Sequence, residues 1–170
     1  MKHLYFVRHG LSEMNKQGIF SGRTETSLVQ EGIDQAHKAG LKARDHGIQC
    51  IVSSPMHRAK DTAAIIAQEI NLPSEDIIHN DLFIERGFGV LEGTTYIPDI
   101  DFDTIEGAED TDAIIIRAEQ GLAYLRSLPF DTILVVGHGA IGRALRHAID
   151  PKIPFKGSEK FDNASITKLI

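Results

Sequence analysis

The sequence predicts an α/β fold, a three-layer sandwich with a mostly parallel central sheet flanked by helices and a minimal cap insert. Three observations lead there. Short apolar, β-prone runs at His3–Val7, Cys50–Val52 and Thr132–Val136 are each followed by a polar turn and then by helical spacing. Strands alternating with helices produce a sheet of parallel strands covered on its faces. The chain has 170 residues, 42% hydrophobic and 25% charged, which suits one domain able to bury roughly 70% of its unfolded surface.

His3–Val7 reads as a buried strand. Residues 9–27 are polar, punctuated by glycine and without periodicity, hence a loop. Ser27-x-x-Gln30 has the capping-box pattern, and Leu28, Ile33, Ala36, Ala39, Gly40 and Ala43 keep helical spacing to about Asp45. Cys50–Val52 is a second strand, ended by Ser53-Ser54-Pro55. A helix follows from about Met56 to Ile70, with Ala59, Ala63, Ile66 and Ile70 on one face. Ile77-Ile78 forms a short strand. Residues 80–110 are the least regular stretch, broken by Gly87, Gly89, Gly93 and Pro98, and they run into the acidic segment Asp99–Asp112. The last of these carboxylates open a helix over about 111–126, where a positive helix N-terminus favours them. Thr132–Val136 is the clearest buried strand; Gly137-His138-Gly139 and a helix from Ala140 to about Ile149 follow at once. Ser165–Leu169 closes the sheet.

The composition removes several classes. Apolar and charged content are those of a folded protein, not a disordered one. No apolar run approaches the ~18 residues of a transmembrane helix, and Met1-Lys2-His3 leads into a strand instead of a leader segment. The single Cys50 forms no internal disulfide and belongs to no metal-binding spacing. A net charge of −6 disfavours nucleic acid as a partner, while leaving room for a local anion site. A cytoplasmic location is the expectation, with no membrane partner. The sequence is silent on oligomeric state.

Ligand sites of open α/β sheets lie beyond the carboxyl ends of the strands, and Arg8-His9, Ser53-Ser54 and His138 all fall there. Arg8 and Arg58 offer planar forks of N–H donors suited to phosphate oxygens. Helix N-termini near 56 and 140 add backbone donors for an anion. A neutral, well-aimed imidazole is a nucleophile toward phosphorus. Taken singly, each residue has an ordinary reading: a histidine at a strand end is commonly a satisfied polar group, and lone arginines are commonly surface charges. Gly137-x-Gly139 alone is a weak glycine-loop signal. From residues alone a phosphate site is one reading among these.

Arg8-His9-Gly10-Leu11-Ser12-Glu13-Met14-Asn15 resembles the Arg-His-Gly-x-Thr/Ser-x-x-Asn signature of the histidine phosphatase superfamily, the phosphoglycerate mutase-like proteins. Further segments resemble its motifs in order: Phe20-Ser21-Gly22, Gly32-x-x-Gln35-Ala36, Ser53-Ser54-Pro55-Met56-His57-Arg58-Ala59-x-x-Thr62-Ala63, Glu85-Arg86-Gly87-Phe88-Gly89-x-Leu91-Glu92-Gly93, Val136-Gly137-His138-Gly139-x-x-x-Arg143 and Asn163-Ala-Ser165. The resemblance implies one histidine phosphatase-like domain over 1–170. It implies His9 as the phosphorylated nucleophile, with Arg8, Arg58 and His138 around the phosphoryl group and Ser12 and Asn15 near it. Glu85 would protonate the leaving oxygen and then activate water, a role that an enclosed apolar loop would assist. Ser21 and Gly22 would line the substrate side. Neither metal nor cofactor is implied. The partner is a small phosphorylated substrate.

Within that resemblance three functions differ. A mutase of the family carries a lysine shortly after the acid motif, where Tyr96 stands here, and an arginine pair in the following insert, whereas residues 97–112 hold no Lys or Arg. Phe88 stands where mutases have tyrosine, and the chain ends at the last strand, without their mobile tail. A phosphatase is therefore expected, with a cofactor-dependent phosphoglycerate mutase as the alternative and a non-catalytic phosphate-binding module as the second. Glu25 and Ser27 replace the family's usual Asp and Pro, so the entrance loop should differ in shape. The acidic stretch Glu106–Asp112 is the one candidate specificity element, its ordinary reading being a solvated helix entry; if it bordered the pocket, it would repel highly anionic substrates.

Overall fold

The computed structural model describes every residue, Met1–Ile170. Five strands form one sheet: β1 (His3–Arg8), β2 (Cys50–Ser53), β3 (Ile78–His79), β4 (Thr132–Gly137) and β5 (Ile166–Lys168). Their order is β3-β2-β4-β1-β5, parallel throughout except β5, which runs antiparallel to β1. The three apolar runs each extend one residue further than their hydrophobic pattern, into Arg8, Ser53 and Gly137. Ladder pairing carries polar residues as readily as apolar ones, because both neighbours supply backbone partners. The register sets Val136 opposite both Val7 and Ser53. The carboxyl ends of the three central strands are therefore level, and His9, Ser54 and His138 leave the sheet at one edge.

Side chains alternate across the sheet with the period of two that a strand imposes. Val7, Ile51, Leu134 and Val136 face α2 (Gln30–Ala43) and α3 (His57–Glu69), whereas Phe6, Val52, Ile133 and Val135 face α4 (Thr111–Ser127) and α5 (Gly139–Ile149). This is the three-layer sandwich expected. Alanines fill the contact between α2 and α3, and Gly40 is needed there because a Cβ would overlap the Glu69 side chain. No helix is long and apolar enough to cross a membrane.

Two local readings are corrected. The stretch 9–27 is not loop throughout: α1 (Glu13–Lys16) forms one turn, capped by a reciprocal Ser12–Asn15 box. Ser27 does not cap α2. A bridge between Ser12 and Leu28 keeps the chain extended to Val29, whose ψ of 166° makes it the N-cap without a side-chain bond. Tertiary pairing thus overrides the local pattern, and α2 starts after Leu28. The acidic stretch opens α4 as its carboxylates predict, and part of it is paired. Glu109 pairs with Arg117, and Asp103 with Arg86 and Lys156, while Asp110 caps α4 through the Ala113 amide. The insert itself is irregular, with single 3-10 turns at Asp81–Phe83, Gly89–Leu91 and Phe102–Thr104.

Candidate active site

The loop after β1 is fixed from every side. Asn163 Nδ2 donates to the His9 carbonyl, Gln35 accepts from the Leu11 amide, and Thr62 Oγ1 accepts from the Gly10 amide at 3.0 Å while donating to the Arg58 carbonyl. The motif residues outside the signature are thus its scaffold. His9 Nδ1 lies 2.7 Å from the Gly10 carbonyl. A carbonyl only accepts, so Nδ1 carries the proton and Nε2 keeps its lone pair. Arg58 Nε donates to that Nε2 at 3.2 Å. Burial first, then the charges of Arg58 and Arg8, hold the His9 pKa well below the usual imidazole range. The ring is neutral, with a fixed tautomer and its free nitrogen facing two guanidinium groups.

His138 packs edge-on against His9, with ring centroids 5.1 Å apart. Its Nε2 is 2.9 Å from Ser54 Oγ, and its Nδ1 is buried without a partner. Burial, with Arg58 next, keeps it neutral as well. Arg58 is buried and heavily used: Nη1 donates to the Thr24 carbonyl and Nη2 to the Gly22 carbonyl. Gly22 has φ of +51°, and a Cβ there would run into the Glu92 carboxylate, so glycine is required by both conformation and space. Glu25 accepts from the His57 amide at 2.9 Å and from its ring at 2.8 Å, tying the altered entrance loop to the start of α3.

Glu85 is not in an apolar loop. Its carboxylate accepts from the amides of Arg86, Ala140 and Ile141, at the N-terminus of α5. A cavity of about 660 Å³ opens over these groups, lined by Arg8, His9, Asn15, Ser21, Gly22, Arg58 and Glu85. Two expected residues stay off its surface. Ser12 is fully buried with its Oγ accepting from the Asn15 amide, and His138 lies behind His9. Three buried side-chain atoms lack any hydrogen-bond partner: Arg8 Nε, Ser21 Oγ and His138 Nδ1. Two belong to cavity-lining residues and the third to the ring against His9. Buried polar groups are normally satisfied, and these three are the exceptions.

Several contributors were not read from the sequence. Glu109 is a hub: Arg117 binds it through two bonds of 2.8 and 2.7 Å and also donates to the Leu82 and Ile84 carbonyls. Arg23 bridges Glu109 and the Glu85 carbonyl, and the Glu109 amide donates to the Gly87 carbonyl. The peptides around Glu85 are thereby clamped. At the cavity mouth stand Arg86, Arg143, Lys156 and Lys160 beside Phe88, Phe102, Phe155, Phe161 and Tyr96. Arg143 belonged to a quoted motif and was legible by position. The lysines lie in the segment after α5, whose sequence has no periodicity to mark it.

Comparison with known proteins follows from this geometry. The family model of the histidine phosphatase superfamily (branch 1) matches residues 4–170. The Bacillus subtilis protein named uncharacterized phosphatase PhoE is 33% identical over 176 residues, an alignment spanning 99% of this chain and 88% of that protein. A 2,3-bisphosphoglycerate-dependent phosphoglycerate mutase of Nautilia profundicola is 41% identical over 95 residues, or 55% of this chain, and that match spans only 42% of the mutase. A solved structure of a phosphoserine phosphatase mutant from Entamoeba histolytica in complex with phosphoserine superposes with a TM-score of 0.82 at 25% identity, covering 99% of this chain and 90% of that one.

Proposed function

The chain belongs to the histidine phosphatase superfamily, and from that membership we propose that it is a phosphatase that hydrolyses a small phosphomonoester through a phosphohistidine on His9. His9 Nε2 attacks phosphorus as the bond to the ester oxygen breaks, and Glu85 gives its proton to that oxygen. Water then attacks the phosphohistidine, Glu85 takes the water proton, the P–N bond breaks and inorganic phosphate leaves. Arg8 and Ser21, which line the cavity, meet the transferred oxygens, Arg58 adds charge through its remaining N–H groups, and His138 backs the His9 ring. Positioning and charge neutralisation supply most of the rate in such transfers. Ser12 acts at one remove, by holding Asn15.

The carrying observation is the pair of unpartnered atoms on cavity-lining residues, Arg8 Nε and Ser21 Oγ, beside an imidazole whose tautomer leaves Nε2 unprotonated, with Arg58 Nε as its donor. A tetrahedral oxyanion group is the partner they lack. The cations of the site are guanidinium groups, which supports turnover without a metal. Hydrolysis of p-nitrophenyl phosphate that persists in EDTA is the expected result. Phosphate binding without turnover would make the protein a binding module instead. The mutase relative keeps a second reading in view, tested by phosphoglycerate mutase activity dependent on added 2,3-bisphosphoglycerate. Tyr96 and Phe88 in the cavity wall, where mutases carry lysine and tyrosine, favour hydrolysis.

A further inference from the structure

The cavity contains one cation that nothing in the chain answers. Arg143 is half-buried, its guanidinium carbon 5.4 Å from the centre of the Phe155 ring, and it makes neither an ion pair nor a hydrogen bond. The other cations of the mouth are engaged: Arg86 with Asp103, Lys156 with Asp101 and Asp103, Lys160 with the Tyr96 hydroxyl. A half-buried guanidinium without an anion has lost part of its hydration and gained no ion pair, so an anionic group entering the cavity meets an unpaired partner there. Its position relative to the chemistry is defined. A Cβ on Gly139 would lie 3.8 Å from Arg8 Nε and 3.9 Å from Glu85 Oε2, and Arg143 follows Gly139 by one turn of α5, about 6 Å.

The charge balance of the cavity runs the same way. In a chain of net charge −6, six Lys and Arg side chains line it against three carboxylates, Glu85 and the exposed Asp99 and Asp101. Six of the chain's eleven Phe and Tyr residues line it too, and Phe155 among them packs against Arg143. The acidic stretch Glu106–Asp112, which bordering the pocket would repel anionic substrates, is absent from the lining.

Resting on the phosphatase reading above, we propose that Arg143 binds a second anionic group of the substrate. The preferred substrates are then small phosphomonoesters carrying a carboxylate or a further phosphate a few bonds from the ester, rather than neutral sugar or alcohol phosphates. The second anion is held equally before and during phosphoryl transfer, so the preference lies mainly in KM.

Two probe pairs test this with the whole chain: 3-phosphoglycerate against glycerol 3-phosphate, and propane-1,3-diol bisphosphate against propyl phosphate. The wild type should favour the anion-bearing member of at least one pair by about tenfold in kcat/KM, as for a charge-assisted bond. Which pair responds tells carboxylate from phosphate. Arg143→Gln should lose most of that preference and Arg143→Lys should retain part of it. Equal kcat/KM within both pairs, or a preference untouched by Arg143→Gln, overturns the proposal. Calorimetric binding of the same probes to His9→Ala separates the two claims. A chain that turns over nothing yet binds the anion-bearing probes more tightly keeps the subsite and overturns the catalytic reading.

Discussion

Glu85 is held by donors alone, the amides of Arg86, Ala140 and Ile141, and beside it stands Arg8, whose guanidinium it faces across Gly139. These neighbours fix the carboxylate's orientation at the start of α5. In the mechanism proposed, one residue serves both half-reactions. Glu85→Gln removes the proton donor and keeps the amide contacts in shape. It should lower kcat/KM on alkyl phosphates by about 10²–10⁴-fold, and far less on p-nitrophenyl phosphate, whose leaving group needs no proton. Equal losses on both would assign Glu85 a structural role. The convergence of Arg8, His9 and Arg58 was legible because each stands at or just past the carboxyl end of a strand and the register levels those ends. The surroundings of Glu85 were not, because its partners are backbone amides 55 and 56 residues away.

At the scale of elements, the insert around Glu85 has little regular structure, so its shape depends on side chains. Glu109 and Arg117 carry that duty through a bidentate pair with both side chains mostly buried, 11% and 14% exposed. Glu109→Ala strands the Arg117 guanidinium and should cost on the order of 3 kcal/mol, near the low end for breaking a buried pair. The shift is measurable as a lower urea midpoint with an unchanged slope. A change below about 0.5 kcal/mol, typical of a surface pair, would show that the insert does not depend on this hub. The same element explains what the sequence concealed. Continuous apolar runs such as Thr132–Val136 declare a strand locally, because a strand covered on both faces must be apolar throughout. The pairing of the charges over residues 99–112 is not declared locally, since Asp103 is neutralised by Lys156, 53 residues on. Ser27 matched the capping pattern and failed because the Ser12–Leu28 bridge outranks it, while the true box lay at Ser12, inside a stretch without periodicity.

For the whole molecule, the site imposes a cost that pH reveals. His9 and His138 are both buried and held neutral, with pKa values well below the ordinary range near 6.5. The unfolded chain binds protons on these rings where the folded chain does not, so stability is lost as pH falls below about 6.5. Each ring contributes a slope of up to about 1.4 kcal/mol per pH unit. The urea midpoint should therefore fall between pH 7 and pH 5.5, and His138→Asn should flatten that fall. A midpoint constant over this interval would mean that the rings titrate normally. The level carboxyl ends of β1, β2 and β4 make this clustering of uncharged imidazoles and guanidinium groups possible, and the three-layer fold keeps them dry. The most direct test of the account is the covalent intermediate itself, trapped by acid quench during turnover and mapped by mass spectrometry of the digested protein. The phosphoryl group should sit on His9, be stable to alkali and be lost on prolonged acid treatment. Turnover with the label on Ser12, Ser21 or His138, or with no covalent label at all, would contradict it.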